Sequence, residues 1–269
     1  MNTTKSSPHG TDRKTATGVG GLFTPNSITT RREKMKTLQK VGGIAALICA
    51  GTYILAMGLV ATLLTPMLNT NLDFDQFMAF FIPNQTLVFI WHLTMYMVNG
   101  VFLVILALAL YERLKASSPA MAQTATVFGL IWAALVLTNL LIINHGLNVV
   151  VDLYGKDPAR AATVKLLLDT VTTGIDSSDR FLGCLWVLLI SWAAMRAEGL
   201  PKALNYLGMV LGVAGIISTA APVLKELGFA FGLGVIVWWI WLGIVMLRRS
   251  PSVAAEKPDT FVPRYRTTT

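Results

Sequence analysis

Charge is scarce in this chain. Asp, Glu, Lys and Arg make up 13% of its 269 residues, against about 25% in an ordinary soluble domain. With 54% hydrophobic residues and a mean hydropathy of +0.61, the composition argues against a water-soluble globule. Cysteine is nearly absent. Cys49 and Cys184 both lie inside apolar runs, where a thiol behaves as a small hydrophobe, so no disulfide framework is expected. There are three histidines, and neither HExxH nor Cys-x-x-Cys-His occurs among them, which argues against a catalytic zinc centre and covalently attached haem. GxSxG, a phosphate-binding glycine loop and a dinucleotide fingerprint are missing too. No cofactor and no metal site is expected, and catalysis is left open.

The basic residues that are present sit mostly at the ends. Between Val41 and Leu247, nine Lys/Arg accompany ten Asp/Glu, whereas the flanking tails carry thirteen basic and four acidic residues. No basic face tracks a nucleic acid, so none is expected as a partner. The tails instead suit anionic lipid headgroups, and a protein partner or a homodimer stays open. Residues 1–40 are rich in Thr, Ser, Gly and Lys and read as a disordered tail. Residues 248–269 read as a second basic tail, and 41–247 as one membrane domain. Arg31-Arg32 before an apolar run superficially resembles a twin-arginine signal, but the run is 24 residues long and five more follow. A signal h-region is about 7–15 residues.

Six continuous apolar stretches can each supply the roughly 20 helical residues that cross a bilayer. They are Val41–Leu64, Leu87–Leu110, Thr124–His145, Asp179–Ala197, Leu204–Val223 and Leu227–Leu247. Continuous apolarity, rather than short alternating strands, selects an all-α polytopic bundle over a β-barrel. With both termini cytoplasmic, 17 of the 22 basic residues fall on the inside, as the positive-inside rule requires. Only Lys156, Arg160, Lys165, Arg180 and Lys225 fall outside.

The two longer outer segments carry helical patterns of their own. Phe77, Phe80 and Phe81 suggest a short interfacial half-helix closed by Pro83. Asp157-Pro158 reads as an N-cap and first-turn pair, and Gly174 as the end of that helix. Between them Ala161, Val164, Leu168 and Val171 form one apolar stripe, expected to lie on the outer interface or over the bundle mouth.

Polar residues inside a bilayer default to functional hypotheses. His92, Tyr96 and Asn99 follow at i, i+4 and i+7, on one face of the second span. Asn139 in the third span falls at a depth similar to that of His92, so a polar cluster is expected in the outer half, either lining a small cavity or pairing helices. His145 ends the third span; its depth mismatch with His92 argues against bis-histidine haem. Asp152, Asp169, Asp176 and Asp179 gather nearby in sequence and could join His92 and His145 in an outer-mouth site, but they read better as solvated loop acids and a helix cap. Gly208-xxx-Gly212 and Gly228-xxx-Gly232 read as close-packing faces. Trp238, Trp239 and Trp241 read as an interfacial aromatic belt.

The C-terminal third carries a resemblance. Asp179-Arg180-Phe181-Leu182-Gly183 leads to Trp186 and then to Met195-Arg196-Ala197-Glu198-Gly199-Leu200-Pro201-Lys202-Ala203-Leu204. Trp238-Trp239-Ile240-Trp241-Leu242-Gly243 with Arg248-Arg249 completes the pattern. This resembles the bacterial membrane proteins grouped as domain-of-unknown-function family 4386. The resemblance implies a six-helix bundle with a short basic turn between helices four and five, and a bacterial inner-membrane address, but no mechanism. The functional expectation is a non-catalytic binding, sensory or accessory membrane component. The alternative is a small transporter or membrane enzyme built on His92 and His145.

Overall fold

The computed structural model describes residues 25–68, 72–197, 199–220 and 225–248. Among these the chain is helical, with no strand. The helices are α1 (Pro25–Thr62), α2 (Phe74–His92), α3 (Asn99–Leu114), α4 (Pro119–Tyr154), α5 (Pro158–Ala197), α6 (Lys202–Ala220) and α7 (Lys225–Arg248). A six-residue π segment, Leu93–Val98, joins α2 to α3 without a break. The two helices therefore form one rod, and six rods are long and apolar enough to cross a membrane.

The rods close into a ring. Each packs on the next in chain order, and α7 packs back on α1. At the end that holds the start of α1 and the finish of α7, hereafter the terminal end, side chains lock the ring. Gln39 donates to the Met246 carbonyl at 3.2 Å, and Arg113 donates twice to the Gly199 carbonyl, at 2.9 and 2.7 Å. Leu200 is buried beside that turn, and Asn205 N–H bonds the Pro201 carbonyl as α6 begins. The Gly-Leu-Pro-Lys turn is thus a structural clasp. Residues 25–40, expected as part of a disordered tail, are helical from Pro25 onward. Lys36 pairs with Glu33 at 3.5 Å, and the helix buries Gln39 against α7.

The other, distal end departs further from expectation. Pro83 does not close a half-helix but sits inside α2. The Asn84 amide donates to the Phe80 carbonyl at 2.8 Å and that of Gln85 to Ile82 at 3.0 Å, so side chains serve carbonyls around the proline. A capping box starts α2: Gln76 N–H bonds the Asp73 carboxylate, and Asp73 N–H bonds the Gln76 side chain. Asp157 caps α5 as expected, accepting from Arg160 N–H at 3.0 Å. Gly174, however, lies within α5 rather than ending it. The amphipathic stripe is therefore the first half of span four. Ala161 and Leu168 are buried while Val171 is half exposed, because α4 offers an apolar face that the stripe covers. Leu64, Phe81, Val88, Leu147 and Leu168 make a second small core there. At about 1.5 Å per residue, the 41-residue α2–α3 rod and the 40-residue α5 run to about 60 Å, twice the hydrocarbon thickness of about 30 Å.

Gly208 and Gly212 are packing contacts, as is Gly228, whose Cβ would lie 3.2 Å from Ser218 Oγ, whereas Gly232 is not. A Cβ on Gly212 would lie 2.7 Å from Leu188 Cβ and 2.8 Å from the Cys184 carbonyl oxygen, so α6 approaches α5 as closely as a bare backbone allows. Gly208 likewise abuts Ser191 and Trp238. A Cβ on Gly232 would meet nothing within 4 Å. Gly212→Ala is expected to destabilise the bundle by about 1–3 kcal/mol through overpacking, and Gly232→Ala to leave it unchanged. Thermal unfolding in one detergent compares the two, and equal melting temperatures would refute the assignment.

Candidate functional site

On the ring axis, towards the distal end, lies a cavity of about 450 Å³ to which five of the six rods contribute side chains. Its walls are mostly aromatic and thioether: Tyr53 and Met57 from α1, Met95 and Tyr96 from the π segment, Trp132 from α4 and Phe231 from α7. Gly228 and Gly232 form part of the α7 side, and Gly232 leaves open the space that a Cβ would enter. The polar wall is one face of α5, where Asp176, Asp179 and Arg180 follow at i, i+3 and i+4.

Asp176 organises that wall. The Asn139 amide donates to its Oδ1 at 2.6 Å and the Tyr96 hydroxyl approaches the same oxygen at 3.5 Å. Asn139 is fully buried, so its amide is fixed by packing, and charge-assisted bonds of this kind are short and strong. Asp179 lines the cavity without a hydrogen bond or ion pair to any described residue. Its carboxylate shares the lining with Asp176 and Arg180 and with apolar side chains.

The structure separates the polar residues that the sequence placed on one face. His92 bonds Asn144 of α4, Nδ1 to Oδ1, at 2.7 Å. Tyr96 turns to Asp176 of α5. Asn99 turns to α1, donating to Thr52 Oγ1 at 3.1 Å and to the Cys49 carbonyl at 3.4 Å. The π segment between them is the cause: its i→i+5 bonding under-winds the rod, so an i, i+4, i+7 count no longer marks one stripe. The same local winding aims Met95 and Tyr96 into the cavity. Asn139 pairs with Asp176 rather than with His92. His145 is exposed and has no hydrogen bond among the described residues, while the His92 bond goes to Asn144. Asp152 and Asp169 are exposed as well, with Asp169 paired to Lys165 at 2.6 Å. Among the described residues no cluster of three His, Cys, Asp or Glu is placed to hold a metal.

His92 is fully buried, and its ring lies 5.9 Å from that of Tyr96. Its Nε2 meets no partner among the described residues. His92→Ala is expected to cost about 2 kcal/mol, through lost packing and an Asn144 left without its bond. His145→Ala, at an exposed position, is expected to stay within about 0.5 kcal/mol. Parallel chemical-denaturant curves in one micelle system would measure both, and equal effects would contradict the placement.

The tryptophans also correct the sequence reading. Trp238 and Trp239 are fully buried, and of these three Trp241 alone is exposed. Trp239 meets Tyr53 edge-on at 5.2 Å and stacks on Trp132 at 6.1 Å, while Trp186 links Trp132 to Trp238. These rings fill the ring axis and back two walls of the cavity. Adjacent Trp238 and Trp239 point to different neighbours because α7 is embraced by both α6 and α1. Sequence reasoning missed Tyr53 and Trp132 as site residues, since an aromatic ring in an apolar span carries no mark of the cavity it lines. It weighed Asp176 and Asp179 for an outer-mouth site with the histidines and preferred to read them as solvated acids, whereas both line the cavity on one face of α5.

Neither the curated proteins nor the solved structures offer a match to this chain. The family described as "Domain of unknown function (DUF4386)" matches residues 41–248, a stretch that takes in most of the first span, the other five and the cavity between them. The chain belongs to the DUF4386 family.

Proposed function

We propose that this DUF4386 protein is a non-catalytic binding or sensory component of the bacterial inner membrane, and that its axial cavity is the binding site. The orientation we assign has both termini in the cytoplasm, supported by the 17 of 22 basic residues that then lie inside. The cavity mouth then belongs to the outer side, and the basic tails meet anionic headgroups in the cytoplasmic leaflet. The observation that carries the reading is the cavity itself. About 450 Å³ of space lies within the 300–1,000 Å³ or so typical of small-molecule sites. It is walled by apolar rings with a few convergent polar groups, the composition such sites share.

A test follows from Gly232. Its missing Cβ borders open space, so Gly232→Leu fills the cavity from an unstrained position. Three probes of similar shape are suitable: tetraphenylphosphonium, triphenylphosphine oxide and tetraphenylborate. Equilibrium dialysis against protein in phosphatidylcholine nanodiscs, corrected for empty nanodiscs, is expected to show saturable binding of at least one. That binding should fall at least tenfold in Gly232→Leu at unchanged melting temperature. Saturable binding of none, or binding indifferent to Gly232→Leu, would overturn the reading.

A further inference from the structure

We infer that the ligand class of the cavity is a lipophilic organic cation, held by the Asp179 carboxylate within an aromatic box. The inference rests on the cavity being a binding site and goes on to fix the charge of what it takes.

Three features point the same way. The first is the charge on the wall, with two carboxylates, Asp176 and Asp179, against one guanidinium, Arg180. The second is how the two carboxylates are used. Asp176 is engaged by Asn139 at 2.6 Å, with the Tyr96 hydroxyl at 3.5 Å, whereas Asp179 has no bonded partner among the described residues although it lines the cavity. A carboxylate facing apolar walls without a bonded partner is costly, and a cation of complementary shape relieves that cost. The third is the rest of the lining. Tyr53, Tyr96, Trp132 and Phe231 present four aromatic rings to one small space, and aromatic faces attract cations, most strongly where water is excluded. Met57 and Met95 add polarizable, adaptable surface. An anion would meet two carboxylates and the ring faces as repulsion, against the single guanidinium of Arg180.

The box is also held rigid. Trp239 supports Tyr53 edge-on and Trp132 by stacking, and the Tyr96 hydroxyl is tethered towards Asp176. Asp176 is thus a positioning residue for the ring of Tyr96, and Asp179 is the group that meets the ligand's charge.

The decisive experiment compares the same three probes on the wild-type protein. Tetraphenylphosphonium is expected to bind at least tenfold more tightly than neutral triphenylphosphine oxide, and tetraphenylborate, its oppositely charged counterpart, to bind least. Asp179→Asn, which keeps shape and removes charge, is expected to lower tetraphenylphosphonium affinity at least tenfold while leaving that of the neutral probe unchanged. The wild-type order needs no variant, so a poorly folding Asp179→Asn protein does not blunt the test. Equal binding of cation and neutral probe, or preference for the anion, would overturn the cation inference and leave the cavity standing. No saturable binding of any probe would remove both.

Discussion

Trp239→Ala is expected to lower stability by about 3 kcal/mol and, with it, to abolish binding in the cavity. Large-to-small changes at buried aromatic residues cost about 3–5 kcal/mol in soluble proteins. The lower end applies here, because lipid is as apolar as the bundle interior and the loss is mainly one of packing contacts rather than of transfer from water. Trp239 is fully buried, edge-on to Tyr53 at 5.2 Å and stacked with Trp132 at 6.1 Å and 12°. Its removal opens a void on the ring axis behind two cavity walls. Tyr53 and Trp132 are free to fall into that void, which removes half the aromatic box even where the bundle still assembles. The indole N–H of Trp239 has no partner among the described residues, so Trp239→Phe should recover much of the stability without needing a replacement hydrogen bond. Trp241, on the outward side of the same helix and exposed, gives the control. Trp241→Ala is expected to change stability by less than about 1 kcal/mol. Melting temperatures of the three variants, with size-exclusion profiles to show that each is monodisperse, make the comparison. Similar losses for Trp239→Ala and Trp241→Ala would show that the tryptophans act as a belt after all.

The contrast between these neighbours shows what was legible in the sequence. Hydropathy reports where lipid surrounds the chain, so the number of spans could be read directly. It does not report where a helix stops. Pro83 and Gly174 look like terminators in isolation, yet both are carried inside rods, because the partner helix at the distal end supplies the apolar contacts of Leu147 and Leu168. In water-facing helices, periodicity tells buried from exposed. In a bilayer both faces are apolar, and Trp238 could not be distinguished from Trp241 by composition. The site was half visible for a related reason. Tyr96 and Asn139 do converge, but on Asp176, and the π segment that aims Tyr96 there leaves no signature in Leu93–Val98 that residue counting detects. His92 and Asn99 were drawn to the same cluster by a regular helical count and belong to other contacts, on α4 and α1.

The Asn139–Asp176 bond supplies the second large effect, and its pattern matters more than its size. Asn139→Leu is expected to cost about 2–3 kcal/mol. It removes the 2.6 Å donor from a partly buried carboxylate, and a hydrogen bond to a charged group is worth about 1.5–3 kcal/mol. Asp176→Leu alone also destabilises, because it strands the Asn139 amide in the bundle interior, where Asn139 is fully buried. The double variant leaves neither group unsatisfied, and replacing both partners by apolar residues can be nearly neutral. A double-mutant cycle on unfolding free energies should therefore show the two losses combining to much less than their sum, with a coupling of about 1–3 kcal/mol. Additive losses would mean that the two side chains do not depend on one another. The cycle has a second consequence for binding. Since Asp176 positions Tyr96 and Asp179 carries the ligand's counter-charge, the stable double variant should keep its preference for cation over anion while binding both more weakly. A stable double variant that loses the preference would transfer the recognition role from Asp179 to Asp176.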